Sequence, residues 1–373
     1  VEFTNTIDYH RKNPDVSLSE YYRMLRLELS SSLSTKKKIY LDTKFWVLLR
    51  NGSMNPNVYK QEYYLLQLAL KLVENGTCIF PISEDVFIEV TRQTDKETLL
   101  NTVKLIDLLS QGVSTISHDE RIEFEVMHFI YSHLKQDVYL PQEMVWTKLS
   151  YTMGFSSFSH EYIADSENLV IQKAFTDHMW SIALVDQIKK MLENRAFDDL
   201  PKPPTAENIN LGQFAHANEA SSFKQMFMNE VSGWIDFYKD LLCELMEHCY
   251  SNLSNNPASS CLTKQERDKK RQEISLLIYN IFRLDKIGTY LPSARITSSL
   301  YAAVRWDKKQ KFQDHDFHDF RHASAALPYF DHFFTEKRLT HLVTQKHLQL
   351  DQIFKCQVCS KLSQAIDALE SMS

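Results

Sequence analysis

At 373 residues the chain is long enough for one large domain or two modest ones, and 43% hydrophobic with 24% charged residues is ordinary for a folded protein. A formal net charge of −6 excludes a bulk polycation that coats nucleic acid, so a nucleic-acid substrate would have to be held by local basic patches. Only 7 glycines and 10 prolines argue against a turn-rich all-β fold and favour helices with few strands.

Residues 1–35 read as a helical lead-in, with an amphipathic helix from about Ser19 to Leu33. Lys38 to Asp42 then reads as a short buried strand ending in an acid. Helical periodicity follows over Lys44–Arg50 and Tyr59–Glu74, and Asn75-Gly76 supplies a stop. Cys78 to Ile82 is a second strand. Ser83 is placed to cap a helix whose first turn holds Glu84 and Asp85, where the helix dipole favours acids. A helix near Lys96–Ser110 leads to a third strand at Gly112 to Ile116. Strands alternating with helices predict an α/β sheet with parallel strands over residues 36–119.

Residues 120–311 break the pattern: they are helical by periodicity, rich in aromatic residues and without convincing strands. Loops are expected at Asp198 to Pro204 and Asn252 to Ser260, and a charged helix face at Lys264–Arg271. The α/β pattern resumes over 312–373, with a helix at Asp319–Ala326, a stop at Leu327-Pro328 and a strand at Tyr329–Thr335. A helix at Lys337–Val343, a last strand at Phe354–Cys359 and a closing helix at Leu362–Leu369 follow. Six dispersed cysteines do not read as a disulfide framework, no leader pattern is seen, and the apolar stretches are too short to span a membrane. A cytoplasmic protein is therefore expected.

Asp42, at the end of a strand among apolar neighbours, sits where open parallel sheets place their ligands, although a strand-end Asp also serves as a helix cap. Asp314 to His322 is the densest polar cluster, and it runs into Ala323-Ser324-Ala325-Ala326, a face suited to close packing on a sheet. Asp319 is expected to open that helix, with Asp316 one turn earlier joining the same site. Mg²⁺ takes one or two protein carboxylates together with waters and substrate phosphate, so acids converging from separate elements would suit it.

The strand ending in Leu41-Asp42, the Pro81–Val90 segment with Glu89, and the Asp319-x-x-His-Ala-x-Ala run before Phe333-Phe334-Thr335-Glu336 resemble the PIN-like nucleases. The likeness covers roughly residues 36–118 and 312–371. It implies an α/β fold: a three-layer α/β/α PIN-like core with a parallel sheet, here interrupted by a large α-helical insertion. It further implies an Mg²⁺- or Mn²⁺-dependent endonuclease that favours RNA over DNA and leaves a 5′-phosphate and a 3′-hydroxyl. Carried across residue by residue, the catalytic acids are Asp42, Glu89, Asp319 and Glu336. Asp42, Asp316, Asp319 and Asp331 are the metal-ligand candidates, with Asp331 a rival to Glu336 for the last position. Family habit adds a role as a toxin or defence effector, and a regulatory protein partner or homo-oligomer is conceivable.

Arg305, Lys308, Lys309 and Lys311, ahead of the Asp316 cluster, are candidates for contacting substrate phosphates, with a solvated surface as the alternative. Lys36, Lys37 and Lys38 lie at the wrong end of their strand to reach the metals. Cys356-x-x-Cys359 lacks the second ligand pair that a structural zinc needs. His315, His318 and His322 support a rival, a His/Asp metal-dependent phosphohydrolase in a helical fold. The helical middle leaves room for a third possibility, an inactive nuclease-like interaction scaffold.

Overall fold

The computed structural model describes residues 5–152, 162–193, 206–207, 209–211, 220–254 and 263–373. Four parallel strands form its main sheet: β1 (Lys37–Leu41), β2 (Cys78–Ile79), β5 (His332–Phe334) and β6 (Gln357–Cys359), in the order β2-β1-β5-β6. Tyr40 lies opposite Phe333 and Leu41 opposite Phe334, while Phe334 lies opposite Cys359. The carboxyl ends of β1, β5 and β6 therefore finish along one edge, although the strands come from the two extremes of the chain. The protein is mixed α/β, as expected, and the strands are shorter than the apolar runs suggested.

Beyond β2, Ile82 bridges in parallel to Ser114 of β3 (Val113–Thr115). One expectation is corrected here. The middle of the chain does contain a strand: β4 (Trp146–Lys148) pairs antiparallel with β3, Thr115 opposite Trp146. A three-residue strand is too short to show a period of two, so the sequence hid it.

Capping residues set the helix starts. Asp42 caps the Thr43–Met54 helix by accepting from Phe45 N–H at 3.2 Å, and Asp95 caps Lys96–Ser110. Ser117 and Glu120 form a reciprocal capping box on His118–His133, so the boundary drawn at residue 119 falls inside that helix. Gly52 is fixed by a close approach, since a Cβ there would stand 2.5 Å from the backbone nitrogen of Tyr63 in the neighbouring Lys60–Glu74 helix.

Two apolar clusters organise the interior. One surrounds the sheet and includes Ile39, Leu41, Trp46, Phe333 and Phe334. The other draws on the His118–His133, Phe223–Ser254 and Lys264–Arg283 helices, with Ile122, Trp234 and Ile278 among its members. The Pro292–Trp306 helix gives Ile296, Leu300 and Val304 to the sheet's cluster and Ala294 to the other, so this end of the expected insertion packs with the core. The loop expected at Asp198 to Pro204 lies outside the described residues. Within Asn252 to Ser260, the Phe223–Ser254 helix runs through Ser254, and the remainder is likewise outside. Among the described residues no helix is long and apolar enough to cross a membrane.

Candidate functional site

Asp42 follows β1 directly, and its backbone N–H donates to the Phe334 carbonyl at 3.0 Å. Its side chain is 4% exposed, and burial pushes its carboxyl up to about 6, with the negative charge of Glu336 adding to the effect. Glu336 follows β5 and stands exposed at the head of the Lys337–Val343 helix.

Asp319 supplies the third acid. Its helix begins at Asp316, one turn earlier than expected, so Asp316 and Asp319 share the first turn while Ala323, Ser324, Ala325 and Ala326 are buried. Asp319 is only 9% exposed and its Oδ2 has no hydrogen-bond partner. Burial pushes its carboxyl up to about 7 against the opposing charge of His322, and Asp42, Glu336 and Glu89 push in the same direction as burial. These are the four acids named from the sequence, and they act on one another as charges through space. An unpartnered oxygen in such surroundings needs either a proton or a cation.

Glu89, in the Glu84–Thr91 helix, behaves differently. It accepts a hydrogen bond from Thr43 Oγ1, and its Oε2 lies 3.2 Å from His322 Nε2. Burial alone would raise its carboxyl, but the bond and charge of His322 outweigh this and hold it at about 2. His322 is itself 1% exposed, and its Nδ1 lies 2.6 Å from the Tyr40 hydroxyl, which lies 2.6 Å from Ser83 Oγ. Burial opposes its charge, yet Tyr40 and Glu89 carry its basicity well above that of free histidine. A largely buried network, Ser83–Tyr40–His322–Glu89–Thr43, therefore ties β1, the Thr43–Met54 helix and the Glu84–Thr91 helix to the helix of Asp319.

Tyr40 was not singled out from the sequence. The available signal was strand alternation, which puts residues 40 and 42 on one face. In the sequence His322 stands in the Asp319-x-x-His-Ala-x-Ala run, and its only proposed role was in the rival histidine set. That set does not assemble: His322 is spent on Tyr40 and Glu89, and His318 Nε2 lies 2.9 Å from Arg92. His315, Asp316 and Asp319 do offer ligand atoms within 4.8 Å of one another, the one such set among the described residues. Asp42, Glu89 and Glu336 do not belong to it.

Asp316, expected among the metal ligands and a member of that set, is already engaged by a cation of the chain itself. Arg338 clasps both of its oxygens, Nε to Oδ1 at 2.8 Å and an Nη to Oδ2 at 2.9 Å, and Gln313 N–H donates to Oδ2 as well. Asp331 is corrected outright. It precedes β5, pairs with Lys37 Nζ at 2.8 Å and accepts from Lys38 N–H, and so lies at the amino end of the sheet, opposite Asp42. The geometry leaves Glu336 as the acid at the carboxyl end. Lys37 lies where the strand direction put it, at the amino end of the sheet and away from Asp42.

Among the basic residues, Arg305 is held by Glu230 at 2.8 Å and stands over the Phe312 ring, a structural pairing that corrects its assignment as an open phosphate contact. Lys308, Lys309 and Lys311 are exposed in the segment leading to Asp316, and Arg338 also donates to the Lys311 carbonyl. Lys44, in the first turn after Asp42, donates to the Ser360 carbonyl beyond β6, a link with no signal in the sequence. Cys356 and Cys359 are buried free thiols, and burial raises both.

No family model, curated protein or solved structure matches this chain.

Proposed function

We propose that the protein is a divalent-cation-dependent nuclease of the PIN-like type, acting at the carboxyl edge of the β1–β5 pair. The observation that carries this is the isolated, buried Oδ2 of Asp319, set among Asp42, Glu336 and Glu89. His322 serves Glu89 and leaves the Asp319 oxygen without a bonded partner, and such oxygen donors suit a hard cation such as Mg²⁺ or Mn²⁺. Asp319 and Asp42 would hold it, with Glu336 at the open side. When bound, such a cation would lower the pKa of water and stabilise charge on a displaced phosphate oxygen.

The chain's own residues would do the rest. Glu89, held ionised by His322, keeps negative charge beside the site without needing a metal, and the Tyr40–His322 link fixes its position. Ionised Asp42 or Asp319, beside the cation, would orient the attacking water. Exposed Lys308, Lys309 and Lys311 would meet backbone phosphates. RNA is the favoured substrate over DNA, on family resemblance alone, as is a toxin or defence role.

The His315–Asp316–Asp319 set favours a second reading, a metal-dependent phosphohydrolase, but the Arg338 clasp on Asp316 counts against it. The test is cleavage of labelled single-stranded and structured RNA and DNA with Mg²⁺, Mn²⁺ or chelator. Metal-dependent cleavage should fall at least about a hundredfold in Asp42→Asn and Asp319→Asn with the circular dichroism unchanged. Cleavage that survives both substitutions overturns the assignment, and nucleic-acid binding with no cleavage by the wild type points to a scaffold.

A further inference from the structure

On the far side of the Asp316–Ala326 helix from the acids lies a cavity of about 560 Å³, within the range of small-molecule sites. The long Phe223–Ser254 helix forms its opposite wall and presents Trp234, Phe237 and Tyr238. Phe237 is 79% exposed, unusual for a large aromatic side chain, and rests edge-on against Tyr238 with ring centroids 4.8 Å apart. That leaves a ring face open to a flat partner.

The polar groups lining the cavity are varied and carry both charges, with Asp119, Glu230, Arg305 and Arg321 among the lining residues. Ser298 is 2% exposed, yet its hydroxyl has no hydrogen-bond partner. A buried hydroxyl left unpaired costs free energy unless something binds it. His118 Nδ1 faces an Arg121 guanidinium nitrogen at 3.2 Å, and guanidinium can only donate, so the neutral ring carries its proton on Nε2. Burial and the Arg121 charge keep that ring neutral. Glu230 holds Arg305 through Oε1 and has its other oxygen as an acceptor. Donors and an acceptor thus stand around an aromatic wall.

We propose that this cavity is a binding pocket for a purine or pyrimidine base, its ring stacked on Phe237 and its edge met by Ser298, His118 and Glu230. A flat heteroaromatic ring carrying both donors and acceptors is the ligand that uses all of these groups, and stacking is tolerant of which base it is. The base belongs either to a strand bound at the acidic edge, in which case the pocket rests on the nuclease assignment, or to a free nucleotide.

Calorimetric titration of the full chain in chelator with AMP, UMP and a ten-residue RNA tests this, alongside Phe237→Ala and Ser298→Ala. Phe237 is exposed enough that its removal should spare the fold, which circular dichroism checks. Phe237→Ala is expected to weaken binding about 5- to 100-fold, and Ser298→Ala about 2- to 10-fold. Binding of the RNA alone identifies a strand, and binding of the mononucleotides identifies a free nucleotide; either supports the pocket. No binding of any probe, or binding indifferent to both substitutions, overturns it. If the wild type cleaves nothing but Phe237-sensitive binding persists, the nuclease assignment fails and the pocket stands. If cleavage is present and Phe237→Ala leaves RNA binding unchanged, the pocket fails and the nuclease assignment stands.

Discussion

Asp42 and Phe334 are joined by a backbone hydrogen bond of 3.0 Å that continues the β1–β5 ladder one step past the end of β1. Through that bond an acid near the start of the chain and the Thr335-Glu336 pair near its end leave the sheet side by side. The consequences for stability and activity follow from what this edge gathers.

The metal-free protein should lose stability as pH rises from about 4 to 7. Asp42 and Asp319 have ordinary values of 3.8 when unfolded but about 6 and about 7 when folded. In that window the folded state binds more protons than the unfolded state, so unfolding free energy falls with pH. Asp319→Asn should remove the larger part, raising stability at pH 8 by on the order of 2–4 kcal/mol and leaving it unchanged near pH 3. Mn²⁺ should stabilise the wild type at pH 8 and not this variant. Thermal melts across pH, with and without Mn²⁺, check both; a melting temperature that rises from pH 4 to 7 contradicts the expected sign.

His322→Ala should cost about 2–4 kcal/mol, because it removes the charged partner of the partly buried Glu89 carboxylate and leaves the Tyr40 hydroxyl with Ser83 alone. Tyr40→Phe keeps the ring packing and should cost about 1–2 kcal/mol. If Glu89 serves the reaction, Tyr40→Phe should also lower cleavage about 10- to 100-fold, as loss of an outer hydrogen-bond partner does. Urea unfolding and single-turnover cleavage measure the two effects separately.

Arg338→Ala should be strongly destabilising, about 3–5 kcal/mol, since it leaves the fully buried Asp316 carboxylate without its cation. Pairing it with Asp316→Asn should recover much of that loss. A double-mutant cycle on the four proteins gives the coupling, and a coupling near zero would show that the clasp contributes nothing.

Replacing Lys308, Lys309 and Lys311 with alanine should weaken nucleic-acid binding without changing sequence preference. On a single strand, the slope of log K against log salt should drop by about 0.7 for each phosphate that a lysine no longer neutralises. Arg305→Ala should instead act on stability through Glu230. Binding measured at several salt concentrations separates these behaviours.

Much of the architecture was legible in the sequence because its signals are local. The Lys96–Ser110 and Lys337–Val343 helices occur at the predicted bounds, the first capped by Asp95 and both read from their apolar period. The acids at residues 42, 89, 319 and 336 were named through the resemblance to the PIN-like nucleases: Asp42 and Glu336 follow strands, Glu89 lies in the helix after β2, and Asp319 lies in the helix before β5. Asp331 could not be excluded in that way. Being near a strand does not say which end of the sheet a residue occupies, and only the pairing with Lys37 and Lys38 places it at the amino end.

What the sequence alone determined, then, is where most helices lie and which acids stand beside the sheet's elements, since these depend on neighbours a few residues apart. What only the tertiary structure decided is which charges become buried together. Arg338 neutralises Asp316, His322 holds Glu89, and Asp319 keeps an oxygen with no partner. Those outcomes depend on desolvation and on distances between elements far apart in the chain, and no local pattern encodes either.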